Sequence, residues 1–229
     1  MLFKSTVFSS ASGSINGITY SHNASGMYIR NRTMPVNPNT ANQQAVRSAM
    51  AQLTSNWSNV LTAGQRLRWN NYAANVPLIN KVGDPINVTG LNMYVRSNIP
   101  RLRAGLTSIA SGPTNFTLAD LAPISIVASE AGADLDLTFD DTQTWVDLAA
   151  ASMIVQIGIQ QSPTVEFFAG PFNFLDTIDG NATTAPTSPA TIAVPGALTE
   201  TNRLFVRARL SQADGRLSTP QIVSTIIAA

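Results

Sequence analysis

Hydrophobic residues change their spacing near residue 107, and no other feature of this 229-residue chain constrains its fold as strongly. Before that point they recur at helical steps. Ala45, Ala49, Leu53 and Trp57 are four residues apart, flanked by Val46, Met50 and Val60. After it they alternate. Leu135, Leu137 and Phe139 are interleaved with Asp134, Asp136 and Thr138, and Leu204, Val206, Ala208 and Leu210 with Arg203, Phe205, Arg207 and Arg209. A period of two belongs to strands that bury one face. A chain that switches period in this way segregates helices from strands, which is the α+β class.

Residues 4–33 read as β, with turn signals at Asn16-Gly17 and at 23–26. The alternation of Ile18 and Tyr20, then Met27 and Ile29, predicts a hairpin closed at 23–26, with Gly17 as a bulge. A lone hairpin is marginal in water and needs a surface to pack on. "MPVNPNT" (34–40) holds two prolines and therefore runs extended. Asn39 or Thr40 then caps a helix over 41–59. Thr62 and Gln65 form a T-x-x-Q capping box for a second helix, which runs to about Asn75 with Leu67, Trp69, Tyr72, Ala73 and Val76 as its apolar set. A third helix covers about 90–104, with Leu91, Tyr94, Val95, Asn98 and Leu102 on one face, Pro100 as a kink or break, and Gly105 closing it.

The stretch 107–123, "TSIASGPTNFTLADLAP", has the composition of a linker. Seven short strand patterns follow at regular spacing with turn signals between them, the pattern of an immunoglobulin or fibronectin-III-like sandwich. The expected organisation is a β-hairpin and extended arm at 1–40, a three-helix module at 41–106, a linker at 107–123 and an all-β sandwich at 124–229.

Only 12% of residues are charged, so amides and hydroxyls keep the surface polar, and amides cost less to desolvate than ions on forming a protein contact. The net charge of +1 conceals a split. Residues 1–110 hold ten basic residues against one acid, a net of +9, whereas residues 111–229 hold four against twelve, a net of −8. The basic half is suited to an acidic surface: nucleic acid, another protein or the acidic half of a neighbouring copy.

Chemistry finds little to use. The absence of cysteine excludes disulfides, zinc–thiolate sites and a thiol nucleophile. His22 is the one histidine, which leaves no basis for a Ser–His–acid triad or a multi-histidine metal site. Asp134/Asp136, Asp140/Asp141/Asp147 and Asp176/Asp179 offer a carboxylate pair for glycoside hydrolysis or a cluster for calcium, but "DDTQTWVD" lacks the spacing of a calcium loop, and Asp134 and Asp136 belong on the solvated face of a strand. Neither a phosphate-binding P-loop nor a dinucleotide-binding glycine motif is present. The expectation is a non-enzyme without cofactor or metal. Apolar runs are too short to span a membrane, and "MLFKSTVFSS" lacks the apolar region and cleavage signature of a secretory signal.

"SGSINGITYSHNASGMYIRNRTMPVNPNTANQQAVRSAM", "LTAGQRLRWNNYAANVP" and "GDPINVTGLNMYVRSNIPRLRAGL" together resemble an uncharacterised family found in bacteriophage and prophage genomes. The resemblance covers about residues 10–106 and brings no catalytic residues with it. It implies a place among phage structural genes and localisation in the virion.

The expected function is that of a phage virion structural protein acting through protein–protein contacts, as a capsid decoration (cement) or minor capsid component. Its partners would be neighbouring virion proteins and further copies of itself in a homo-oligomer. Candidate interface residues are Tyr20, Met27, Tyr28, Arg30, Arg32, Asn37, Asn39, Gln43, Arg66, Arg68, Arg96, Arg101 and Arg103, with Trp57, Trp69 and Tyr72 as core or interface anchors. One alternative is a tail-associated or host-adhesion protein binding through the sandwich loops, with "QTW" (143–145) and "EFFAGPFNF" (166–174) as aromatic candidates, although Phe167, Phe172 and Phe174 fit a core better. The other is a DNA-binding factor that uses the basic helices.

Overall fold

The computed structural model describes residues 11–23, 26–34, 36–80 and 83–229. The expected strand start at 4–10, the turn tip at 24–25, Pro35 of the arm, and Lys81 and Val82 lie outside the described residues. The chain forms two compact units, 1–41 and 42–229. Among the described residues there are three helices and twelve strands in four antiparallel sheets, a mixed and mostly β architecture.

The first unit is a three-stranded meander of β1 (Gly13–Ile15), β2 (Ile18–Asn23) and β3 (Gly26–Asn31) in that order. The expected bulge at Gly17 is instead a tight turn. Ile15 pairs with Ile18, and the two residues between them, Asn16 and Gly17, have φ of 43° and 82°. Positive φ at both positions is the primed turn that matches strand twist, and Asn-Gly is the pair that tolerates it. The register sorts the side chains cleanly. Ile15, Ile18, Tyr20, Met27 and Ile29 share one face, and Ser14, Thr19, Ser21, Tyr28 and Arg30 the other.

The second unit opens with α1 (Ala41–Asn59), the expected helix, which buries only Ala49 and Leu53. The box at Thr62 forms as expected: Gln65 N–H donates to Thr62 Oγ1 (3.3 Å) and Thr62 N–H to Gln65 Oε1 (2.8 Å), starting α2 (Ala63–Asn75). A short ladder of β4 (Leu78–Ile79) and β5 (Pro85–Ile86) leads to α3 (Gly90–Arg103). Pro100 lies within α3 and does not end it. Trp69 is the centre of the helical core, with its ring 5.5 Å from Tyr94 and 6.1 Å from Tyr72, both near edge-on. Leu67, expected in that core, is exposed.

The seven expected strands are all present: β6 (Ser125–Ser129), β7 (Asp134–Thr138), β8 (Ser152–Gly158), β9 (Phe172–Asp179), β10 (Ala190–Ala193), β11 (Arg203–Ser211) and β12 (Gln221–Ile226). They make one sheet in the order β10-β7-β6 and another in the order β12-β11-β8-β9. Both sheets contribute to a single core. Ile126, Leu135, Leu137 and Ile192 from the first meet Met153, Val155, Leu204, Val206 and Leu210 from the second. Phe205 departs from the alternation. It faces away from that core yet is buried, stacked 5.5 Å from Phe168 of the loop that follows β8.

Residues 107–123 are not a free tether. Four helix side chains hold their backbone. Asn98 receives Ile109 N–H (2.6 Å) and donates to Ile109 O (3.3 Å), Trp69 Nε1 donates to Ala110 O (2.9 Å), Tyr72 OH to Thr117 O (3.0 Å), and Arg101 Nε to Thr107 O (2.9 Å). Gly112 lies so close to α2 that a Cβ there would come within 2.6 Å of Trp69 N. Ala119 and Leu121 then enter the sheet core. Residues 42–229 cluster as one compact unit, in which this strap is bonded to the helices and packed into the sheet core.

Candidate interaction surfaces

A sheet needs one covered face, because apolar side chains in water forgo about 25 cal/mol for each Å² left unburied. In the first unit no described residue is buried. On the apolar face of β1–β3, Ile15 is 68% exposed and Ile18 also stands open, while Tyr20 and Met27 are half-buried. On the polar face Tyr28 is half-buried and Arg30 exposed. Arg32, Asn37 and Asn39 are exposed along the stretch that follows, as are Met34 and Val36. Asn39 N–H bonds Asn37 Oδ1 (3.3 Å), an Asx turn that bends the chain just before α1, and φ of 50° at Asn39 is one that asparagine tolerates.

The candidates of the second unit do not form one surface. Gln43 is half-buried. Arg66 closes the end of α1, its Nη1 donating to Trp57 O (3.1 Å) and Ser58 O (3.3 Å), while Arg68 is exposed. Arg101, expected at an interface, is interior with 1% exposure, and its Nη1 donates to Ala150 O (3.1 Å) and Ser211 Oγ (2.9 Å). Burial pulls its pKa down, and the charge of Asp179 opposes that. Arg96 is likewise turned inward, Nη1 donating to Leu217 O (3.4 Å) in the β11–β12 loop. Arg103 is half-buried at the end of α3.

Trp69 and Tyr72 are core residues with no exposed surface, and Trp57 is half-buried 5.7 Å from Tyr94. Burial pushes the Tyr72 hydroxyl up to about 12 from its ordinary 10.0, partly offset by Arg96 and Arg216. Of the aromatic candidates in the β half, Trp145 and Phe172 are buried, Phe174 is half-buried, and Phe167, placed in the core by its sequence pattern, is 78% exposed.

Sequence reasoning missed the outer face of α1. Val46, Met50 and Ala51 line an open groove there with Arg47, Thr54 and Ser58, and Val46 and Met50 are exposed. The signal was present, since both residues were placed beside the stripe of Ala49 and Leu53, but one helix cannot bury both sides of so wide an apolar band against a single neighbour.

Among the described residues no group of three or more His, Asp or Glu could hold a metal ion, and no helix is long and apolar enough to cross a membrane. Neither the protein-family models nor the curated proteins contain a match to this chain.

Proposed function

We propose that the chain is a phage virion structural protein, a capsid decoration or minor capsid component, that attaches through its first forty residues to a neighbouring subunit. The observation that carries this reading is the amphipathic meander whose strands pair fully while no described residue of its unit is buried. Three strands with a hydrophobic face are the least that can stand alone, and leaving that face in water forgoes the burial that would stabilise them. Ile15, Ile18, Tyr20 and Met27 supply the face to be covered, and Met34 and Val36 of the arm are exposed apolar residues beyond it. Arg30, on the opposite face, and Arg32, just past β3, accompany it with no acid in residues 1–40, which suits an acidic neighbour. The likeness of residues 10–106 to phage and prophage proteins supports the virion setting.

We further read residues 124–229 as a fibronectin-III-like sandwich. The first, second and fifth of its strands form one sheet, and the third, fourth, sixth and seventh form the other. In this role the sandwich is the outward, acidic part and takes no part in chemistry.

The test is incorporation. In gradient-purified phage particles from a lysate carrying the gene, quantitative mass spectrometry should find the full chain at fixed copy number. It should not find a chain lacking residues 1–40, although that chain still folds. A truncated chain that enters particles normally would overturn the reading.

A further inference from the structure

We propose that the second unit binds a tetrahedral oxyanion of the phosphate type between α3 and the outer face of β11, held by Arg96, Arg103, Arg207 and Arg209. Arg207 and Arg209 alternate with the core residues Val206, Ala208 and Leu210, so both point away from the sheet core on the same side. Arg96 and Arg103 are seven residues apart on α3, two helical turns on one face.

The two pairs meet. Arg96 reaches Leu217 O, just past β11, and its positive charge acts on Arg209. Arg207 feels both Arg209 and Arg103. Burial first, and then these like charges, pull the guanidinium pKa values of Arg207 and Arg209 down. Among the described residues none of the four makes an ion pair, and the pair Arg216–Asp214 lies outside the group.

The geometry also leaves a donor waiting. Arg209 Nε–H is buried with no acceptor, whereas a buried donor normally finds one. Arg207 is already fixed, its Nε donating to Gln156 Oε1 (2.9 Å) and its guanidinium lying 4.6 Å from the centre of the Phe172 ring, so its remaining N–H groups are pre-oriented. A cleft of about 320 Å³ opens beside Arg103, lined by Asn42, Ala45 and Ala49 of α1, Leu102, and Asn173 and Phe174 of β9, with no carboxylate, and Phe174 shares a row across the sheet with Gln156 and Arg207. Half-buried guanidinium forks with neutral amide neighbours favour an anion of high charge and several acceptor oxygens. A carboxylate carries one charge and offers acceptors in a single plane.

The experiment is thermal unfolding of the full chain in inorganic phosphate, sulfate, acetate or chloride at about 10 mM anion and matched ionic strength. That concentration is too low for general salt exclusion to matter. Phosphate and sulfate are expected to raise Tm by about 2–4 °C in a saturable way, and acetate and chloride are not. Arg209→Met should lose the phosphate increment, as should Arg103→Met, while the exposed Arg68→Met keeps it. In chloride, Arg209→Met should melt no lower than the unaltered chain, because it removes an unpaired buried donor and a repelled charge. The same Tm in phosphate and chloride, an equal response to acetate, or a full phosphate increment in Arg209→Met would each overturn the proposal.

Discussion

The two units obey the same strand grammar and end in opposite states. In β7 the alternation puts Leu135 and Leu137 at zero exposure. In β1–β3 an equally regular alternation leaves Ile15 and Ile18 open. Periodicity therefore says which face of a strand wants cover. It does not say whether the cover lies in the same chain. The larger unit supplies its own, because seven strands return to face each other across one core. The smaller unit has three strands, and none of its described residues is buried.

The comparison breaks first at Trp69. Trp69→Ala should lower the stability of the larger unit by about 3–5 kcal/mol, read by urea denaturation. Helical and sheet signals should shift together, since the strap joins both parts. Separate transitions would mean that the helices and sheets are independent bodies after all.

Next in size is Arg101→Met. It strips hydrogen bonds from Thr107 O, Ala150 O and Ser211 Oγ, and should cost roughly 2–3 kcal/mol by the same measurement. A change below about 0.5 kcal/mol would mean that water replaces the guanidinium at no loss.

Alkaline pH sharpens the contrast. The fold favours the neutral form of Tyr72, so its pKa is raised from 10.0 to about 12. Its contribution is complete below about pH 10 and is lost as pH climbs towards about 12. The buried hydroxyl of Tyr94, also raised, adds in the same direction. Stability of the larger unit should fall across that window, and Tyr72→Phe should flatten the slope. An unchanged slope in Tyr72→Phe would remove Tyr72 from the account.

The smallest effect belongs to the first unit. Ile15→Ala and Ile18→Ala should each change the unfolding free energy of the isolated chain by less than about 0.5 kcal/mol, as open surface positions do. They should nevertheless impair incorporation into particles. A large loss of stability from either would show that the face is already covered.

Much of this architecture was legible in the sequence, for local reasons. The helix start at Thr62 depends on a side chain and an N–H three residues on, and the seven strands depend on alternation alone. The strap was not legible. "SGPTN" has the composition of a linker, and what holds it is Asn98, Trp69, Tyr72 and Arg101 bonding to its main chain, which leaves no mark on the strap's own residues. Arg96 and Arg101 misled for a related reason. A helix cation with no acid near it in sequence reads as an interface residue, but carbonyls of residues 217 and 150 take Arg96 and Arg101 inward. Asn16-Gly17 fits both a bulge and a turn until a third strand exists to choose between them. Phe167 followed its aromatic neighbours into the expected core, and a loop turned it out.

The shallow seating of α1 has a mechanical consequence. Load applied through the first forty residues enters the larger unit at Ala41, the first residue of a nineteen-residue helix that buries only Ala49 and Leu53. Peeling that helix back as far as Ala49 exposes one buried side chain and breaks the Asn42–Asn173 hydrogen bond, and leaves Leu53, the Trp69 core and the strap in place. The segment would act as a sacrificial spring. It lengthens from about 1.5 Å to about 3.3 Å per residue as it unwinds, absorbing strain between a tethered arm and a rigid body.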